Sequence, residues 1–386
     1  MTKNNQASVL SSDAEAIAAA QHIAEQAKSG AVERDQQRIY PLALLNQFTQ
    51  MGLGSISVPK QFGGAGLSFQ TVAEVFRLIS ARDPSLGQIP QNHFGLIQFI
   101  LGEGTPSQQQ QLLSAVVQGQ RLGNGGPEKN SKHTRDVQTQ LVTTSQGLAI
   151  SGEKFYSTGA LFADILVTTA IHAEQPVMVF IPTPAQGLEI VDDWSGIGQR
   201  TTASGTVKLQ QVAVNPALTM PLPHGDKPTL RGAVSQLIQA AIDAGIAQGA
   251  LDDALEFVRS NSRPWVDAGV SRNADDPYIL ADVGRISTEL SAANALLSRA
   301  ARVLDSIDQQ SLSAENCARA SIAVAEAKVL TTEIALRASD TFLECGGSRA
   351  TLFRPGLARP WPNARPHTLP APLPCTHHPP GHTSPH

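Results

Sequence analysis

Apolar side chains recur every three or four positions from about residue 14 to residue 120. The stretches "DAEAIAAAQHIAEQAKSGAVERD" and "LSFQTVAEVFRLISARD" therefore read as amphipathic helices, with Ser12 and Asp13 as candidate caps. Between them "GLGSISVPKQFGGAGLS" places Pro59, Gly63, Gly64 and Gly66 where no helix can run, and predicts a turn-rich connection. From about Leu122 to Val214 the period drops to two. "QLVTTSQGLAISGEKF" reads as strand, Gln-Gly turn and strand, and "ADILVTTAI", "PVMVFIP", "GLEIVDDW" and "GTVKLQQVAV" as further short strands. This predicts a small β-barrel or sandwich. After "NPALTMPLPHGDKP" the helical period returns from Thr229 to about Leu343, in segments long enough for an antiparallel bundle. From Ala350 onward ten prolines fall in thirty-seven residues without periodicity, and composition predicts loop or disorder. The pattern divides the chain into a helical domain (1–120), a β-domain (121–225), a helical bundle (226–349) and a Pro/His-rich segment (350–386). The fold class is α+β, mostly α.

Composition narrows the function. A chain of 386 residues with 41% hydrophobic and 16% charged residues, a net charge of −4 and a pI near 6.2 lacks the basic face that nucleic acid requires. No apolar run of about 18 residues exists, and the N-terminus lacks the basic and apolar regions of a leader, so a cytoplasmic protein without membrane partners is expected. Cys317, Cys345 and Cys375 are too scattered for a disulfide framework or a zinc site. His377, His378, His382 and His386 lie among prolines without a rigid scaffold, so no metal site is expected there. No GxGxxG follows a strand, and P-loop, HExxH and GxSxG are absent, which leaves no visible means of taking hydride from a nicotinamide.

In order and spacing, "GLGSISVPKQFGGAGLS", "RLGNGGPEKNS", "ISGEKFYSTGALFADILV", "WSGIGQRTTASGTVKLQQVAV" and "DAGIAQGALDDALEFV" resemble the acyl-CoA dehydrogenase superfamily over nearly the whole chain. Within it, "SLGQIPQNHFG", "WSGIGQRTTASG", "SRPWVDAGVSRNADDPY" and "NARPHTL" are most similar to the branch of sulfur-acquisition oxidoreductases and dibenzothiophene monooxygenase. The resemblance implies a helical domain, a small β-barrel and a four-helix bundle. It also implies reduced FMN (FMNH2, with FAD possible) supplied by a separate flavin reductase. The implied reaction is oxygenation of a small organosulfur compound through a flavin C4a-hydroperoxide, in a homo-oligomer built as a dimer or tetramer.

Carried onto this sequence, the resemblance gives site residues, each with a plainer reading beside it. Ser157 and Thr158 in "KFYSTGA" would hold the flavin edge, Thr158 near its reactive side; a turn satisfying its own backbone is the alternative. Asn124, in "RLGNGGPE" with Glu128, would lie against the ring, although Pro127 removes one backbone donor; otherwise the stretch is a simple helix-to-strand loop. Trp194 would wall the flavin, followed by Gln199, Arg200, Thr202 and Ser204, or else it is a core tryptophan. Arg259 and Arg263, four residues apart and so on one helical face, would reach the flavin phosphate of a neighbouring subunit, or form a solvated charged face. Gly346 and Gly347 would approach a cofactor across a subunit boundary, or merely cap a helix. His93 would act as donor and proton source at the oxygenation site, or be a satisfied core histidine. In the C-terminal segment Asn363, Arg365 and His367 match a lid over the flavin, with Asn363 binding it and His367 catalytic. Pro370 and Ala371 stand where the branch has a second histidine and an aspartate.

Two other readings remain open. An acyl-CoA dehydrogenase would need a catalytic carboxylate, and "RPGLARPWPNARPHT" has none. A flavin-binding protein with a decayed site is the other.

Overall fold

Capping residues set the start of several helices. The Ser12 hydroxyl accepts from the Glu15 amide, Thr105 makes a reciprocal capping box with Gln108, and Pro106 stands in the first turn, where no N–H is needed. The computed structural model describes residues 7–129, 131–132, 136–222, 227–260, 263–308, 311–350 and 359–369. Within them the chain begins with α1 (Asp13–Lys28), α2 (Ala31–Gln37), α3 (Leu42–Gln50), α4 (Phe69–Ser80), α5 (Pro84–Gln88), α6 (Gln91–Glu103) and α7 (Pro106–Val117). Strands follow: β1 (Leu122–Gly125), β2 (Gln140–Thr144), β3 (Gly147–Lys154), β4 (Ile165–His172), β5 (Gln175–Pro182), β6 (Leu188–Ile190), β7 (Val207–Val214) and β8 (Thr219–Pro221). The bundle comprises α8 (Arg231–Ser260), α9 (Pro277–Asp305) and α10 (Ala314–Ala350), and the described chain closes with α11 (Pro360–Thr368).

One sheet carries the strands in the order β6-β7-β3-β2-β4-β5-β8, and β1 pairs parallel with β4. Its own core holds Leu141, Ile150, Leu166, Val179, Ile181 and Val207. A second cluster, with Phe99, Leu113, Val167 and Phe180, glues α6 and α7 to the sheet. The largest core joins α1, α4 and α6 to the three bundle helices. There α8 meets the end of α4 almost backbone to backbone. A Cβ on Gly249 would lie 2.3 Å from the Ala81 carbonyl oxygen, so only glycine allows this approach.

The structure departs from the sequence pattern in three places. Leu122–Gly125, read as a loop, is β1; Gly123 hides its strand character, yet a Cβ there would sit 2.5 Å from Ala163, so the glycine serves the close packing. Part of the Pro-rich segment, Pro360–Thr368, is helical, because Pro360 and Pro362 fall in the first turn and tertiary partners hold the remainder. Gly347 (φ 55°, ψ −156°) does not cap a helix but kinks α10, which resumes to Ala350.

Candidate active site

Three segments meet where the turn after β3 and the loop after β6 approach β1, beside α11. Two residues beyond the end of β3, Tyr156, with a φ of 60°, turns the chain sharply into Ser157 and Thr158. Asn124 on β1 lies beside this turn, its amide N–H reaching the Thr158 carbonyl at 3.3 Å and its side-chain NH2 the Tyr156 carbonyl at 3.5 Å. The loop after β6 supplies the third segment. Thr158 Oγ1 and Ser204 Oγ are 2.7 Å apart, Ser204 Oγ and Thr202 Oγ1 again 2.7 Å, and Thr202 donates to the Gln199 carbonyl at 2.9 Å. The result is a buried chain of three hydroxyls. Trp194 closes its outer side: the indole N–H donates to the same Gln199 carbonyl at 2.9 Å, and its ring lies edge-on to Tyr156.

Two non-glycine residues of this loop, Gln199 (φ 52°) and Ala203 (φ 49°), are left-handed. Such backbone persists only where neighbours over-determine it. Here the neighbour is α11. Asn363 Oδ1 accepts from the Gln199 amide at 2.7 Å, and the Asn363 carbonyl accepts from Gln199 Nε2 at 3.4 Å. Gly198 lies against the Pro362 carbonyl so tightly that a Cβ would fall 1.6 Å from it. The structure thus gathers Asn124, Ser157, Thr158, Trp194 and Asn363 around one neutral polar cluster.

The cluster is not self-satisfied. Ser157 Oγ and Gln199 Oε1 are buried and have no hydrogen-bond partner among the described residues. Such atoms cost free energy unless a ligand or an ordered water meets them. An isoalloxazine edge alternates N–H donors with carbonyl acceptors. A free hydroxyl and a free amide oxygen are groups it can engage, so the donor set fits a flavin.

Beneath the cluster, a buried ion pair fixes β3 to the segment after β1. Lys154 Nζ bonds Glu128 Oε1 at 2.7 Å, Thr169 Oγ1 at 3.2 Å and the Gly126 carbonyl at 3.3 Å. Burial would push the Glu128 carboxyl up, but Lys154, Thr139 and the Gln138 and Thr139 amides together hold it below the usual range.

His93 has the surroundings of a core histidine. It stands on α6, fully enclosed, with Nε2 2.8 Å from the Gly54 carbonyl and Nδ1 accepting the Leu122 amide N–H at 3.0 Å. Both nitrogens are spent on backbone, and burial pushes its pKa down to about 4. In this geometry the donor and the acceptor of a neutral imidazole are both engaged. His367 is also enclosed, with its Nδ1 2.6 Å from Asp243 Oδ1. Asp243 further accepts from Lys328 Nζ at 2.6 Å and Thr332 Oγ1 at 2.8 Å. Burial would raise the Asp243 carboxyl, yet the Lys328 ammonium and His367 hold it low. An ionised carboxylate only accepts, so His367 Nδ1 carries the proton in this pair.

Asp243 and Lys328 escaped the sequence reading. Their signal was a single carboxylate in "LIQAAIDAGIAQGAL" and a single ammonium in "IAVAEAKVL", each on the buried face of its helix.

Arg259 and Arg263 do not share a helical face, because α8 ends at Ser260 and Arg263 lies outside it. Arg263 instead joins Gly346, Gly347, Trp265 and Asn273 around an open groove of about 650 Å³, which Arg259 does not line. Asp243 lies seventeen residues before the end of α8, about 25 Å at the helical rise. The groove, which Phe257 of α8 also lines, thus lies toward the far end of that helix from Asp243. Pro370, Ala371, Cys375, His377, His378, His382 and His386 lie outside the described residues.

Comparison with known proteins supplies the lineage. Residues 13–120 match the acyl-CoA dehydrogenase N-terminal domain and residues 237–368 the C-terminal domain. Dibenzothiophene monooxygenase of Rhodococcus erythropolis is 31% identical over 378 residues, covering 94% of this chain and 91% of that protein. A probable FMNH2-dependent monooxygenase, SfnC of Pseudomonas putida, is 29% identical over 93% of this chain and 91% of its own length. The crystal structure of FMN-bound TdsC from Paenibacillus sp. A11-2 superposes with a TM-score of 0.87 at 29% identity, covering 94% of each chain. Among the described residues no helix is long and apolar enough to cross a membrane. The chain belongs to the acyl-CoA dehydrogenase superfamily, in the branch of dibenzothiophene monooxygenase and its FMNH2-dependent relatives.

Proposed function

We propose that this enzyme is a reduced-FMN-dependent monooxygenase of small organosulfur compounds, with its flavin delivered by a separate reductase. The observation that carries the reading is the buried cluster around Thr158, complete in its own bonds except for Ser157 Oγ and Gln199 Oε1. In a chain similar over nearly its whole length to dibenzothiophene monooxygenase and to a probable FMNH2-dependent monooxygenase, these atoms would be the ones left to meet a flavin edge. When bound, reduced FMN supplies the electrons that split O2, so that one oxygen atom reaches the sulfur and the other leaves as water.

The protein's share of the work follows from the geometry. Ser157, Asn124 and Gln199 would bind and orient the ring edge. Thr158, Ser204 and Thr202 would form a hydroxyl relay able to pass a proton beside it, with Trp194 and Tyr156 in edge contact at the mouth of the loop. Arg263 with the Gly346–Gly347 kink would receive the phosphate. Lying at the far end of α8 from Asp243, that groove would serve the flavin of a second copy, which makes the working unit an oligomer. The segment 354–368 contains no carboxylate, so the region that carries the base of many acyl-CoA dehydrogenases cannot perform α-proton abstraction here.

The test mixes the protein with FMNH2 under anaerobic conditions, then with O2 and a panel of dibenzothiophene, sulfones and alkanesulfinates. Binding of FMNH2 and mass-spectrometric incorporation of one 18O atom from 18O2 are expected. Reduction of an electron acceptor by acyl-CoA thioesters, without incorporation, would overturn the proposal.

A further inference from the structure

Helix α11 has nine residues, three of them proline, one at the interior position 366. Such a segment does not hold helical form alone. Its order comes from its two ends. At one end Asn363 and Pro362 grip the left-handed loop at Gly198 and Gln199. At the other, His367 is anchored on Asp243, a carboxylate in the middle of α8 that Lys328 and Thr332 of α10 complete. Charged bundle core and neutral hydroxyl cluster are therefore the two ends of one short helix.

We propose that Asp243 is a positioning residue for the loop 198–204: through His367 it docks α11, and α11 holds Gln199, Thr202 and Ser204 in register with Thr158. Only the name "flavin edge" for this loop rests on the proposed function; the docking itself is a property of the protein without flavin.

Trp194, bonded to the Gln199 carbonyl, reports the loop directly, and Trp361 reports α11. The full-length protein is labelled with 5-fluorotryptophan, and its 19F resonances are assigned by single Trp→Phe replacements. His367→Ala removes the anchor but leaves Asp243 paired with Lys328 and Thr332, so the bundle stays folded. In this variant the Trp194 and Trp361 signals should move or broaden, hydrogen exchange at 198–204 should accelerate, and FMNH2 should bind about tenfold more weakly. His367→Gln, whose amide can still donate to Asp243, should recover most of each change. The double variant Asp243→Leu/Lys328→Met, which removes the anchor from the other side without stranding a charge, should reproduce the His367→Ala signals. Unchanged Trp194 and Trp361 resonances in His367→Ala would overturn the proposal. Shifted resonances with unchanged FMNH2 affinity would leave the docking standing and count against the flavin assignment of the loop.

Discussion

Two buried polar clusters lie at opposite ends of α11, and they differ in how completely their atoms are matched. Around Asp243 the charges balance and the carboxylate accepts from three side chains. Around Thr158 every group is neutral, and two oxygen atoms are left without partners. A saturated cluster has nothing left for a ligand, so its work is mechanical. An unsaturated one leaves atoms that a ligand can complete. Removing a group from each should therefore give opposite results, with stability lost from the first and binding lost from the second.

The largest effect is expected at the saturated end. Asp243→Leu alone leaves the Lys328 ammonium buried without its partner, and should cost about 3–5 kcal/mol in denaturant unfolding. Adding Lys328→Met should recover most of that loss. No recovery would mean that the cost lies in packing rather than in the stranded charge.

His93 extends the comparison to a third, fully matched group. Its pKa is depressed to about 4, whereas an unfolded histidine titrates near 6.5. Between those values the unfolded chain binds a proton that the folded chain refuses, so stability should fall as the pH drops through the window and stop falling below it. The change is roughly 3 kcal/mol for this one group. His93→Asn should flatten that part of the stability-versus-pH curve. It should leave the ratio of peroxide to oxygenated product unaltered, because both ring nitrogens of His93 bond backbone groups; a rise in peroxide would place it in the mechanism.

Arg263 has no ion-pair partner among the described residues, and lines the groove with Gly346 and Gly347. Its replacement by Ala should leave the fold intact and weaken FMNH2 by about 2 kcal/mol, the usual worth of a hydrogen bond to a charged group. Mixed oligomers of Arg263→Ala and Thr158→Ala chains test whose flavin it serves. Activity regained on mixing places the arginine in the site of a second copy, whereas none regained places both residues in one site.

Much of this was legible beforehand. Periodicity separated α1 and α4, each with one buried helical face, from the sheet, where β4 and β5 read as short apolar runs and are buried on both faces. The hydroxyls of Ser157, Thr158, Thr202 and Ser204 and the amide of Asn363 were visible as polar residues in turns between apolar runs. What stayed hidden depends on contacts far apart in sequence. Nothing local says that Asp243 meets His367, 124 residues later, or that Gly54 and Leu122 consume both nitrogens of His93. The Pro-rich segment misled for the same reason: composition reports what α11 cannot do alone, and its anchors lie in other parts of the chain.

The smallest effect gives the sharpest contrast. Ser157→Ala deletes a buried hydroxyl that has no partner, so the flavin-free protein should lose no stability and should gain up to about 1 kcal/mol, the desolvation penalty no longer incurred. The same change removes a group that would meet the flavin, so FMNH2 affinity should fall by about 1 kcal/mol, or roughly fivefold. Thr202→Ala is its control. That hydroxyl already donates to the Gln199 carbonyl and pairs with Ser204, so its loss should cost about 1 kcal/mol of stability and change affinity less. Thermal unfolding without flavin and FMNH2 titration of both variants separate the cases. Should Ser157→Ala weaken the fold while leaving affinity alone, the hydroxyl has a structural partner, and the unsaturated cluster no longer marks the flavin edge.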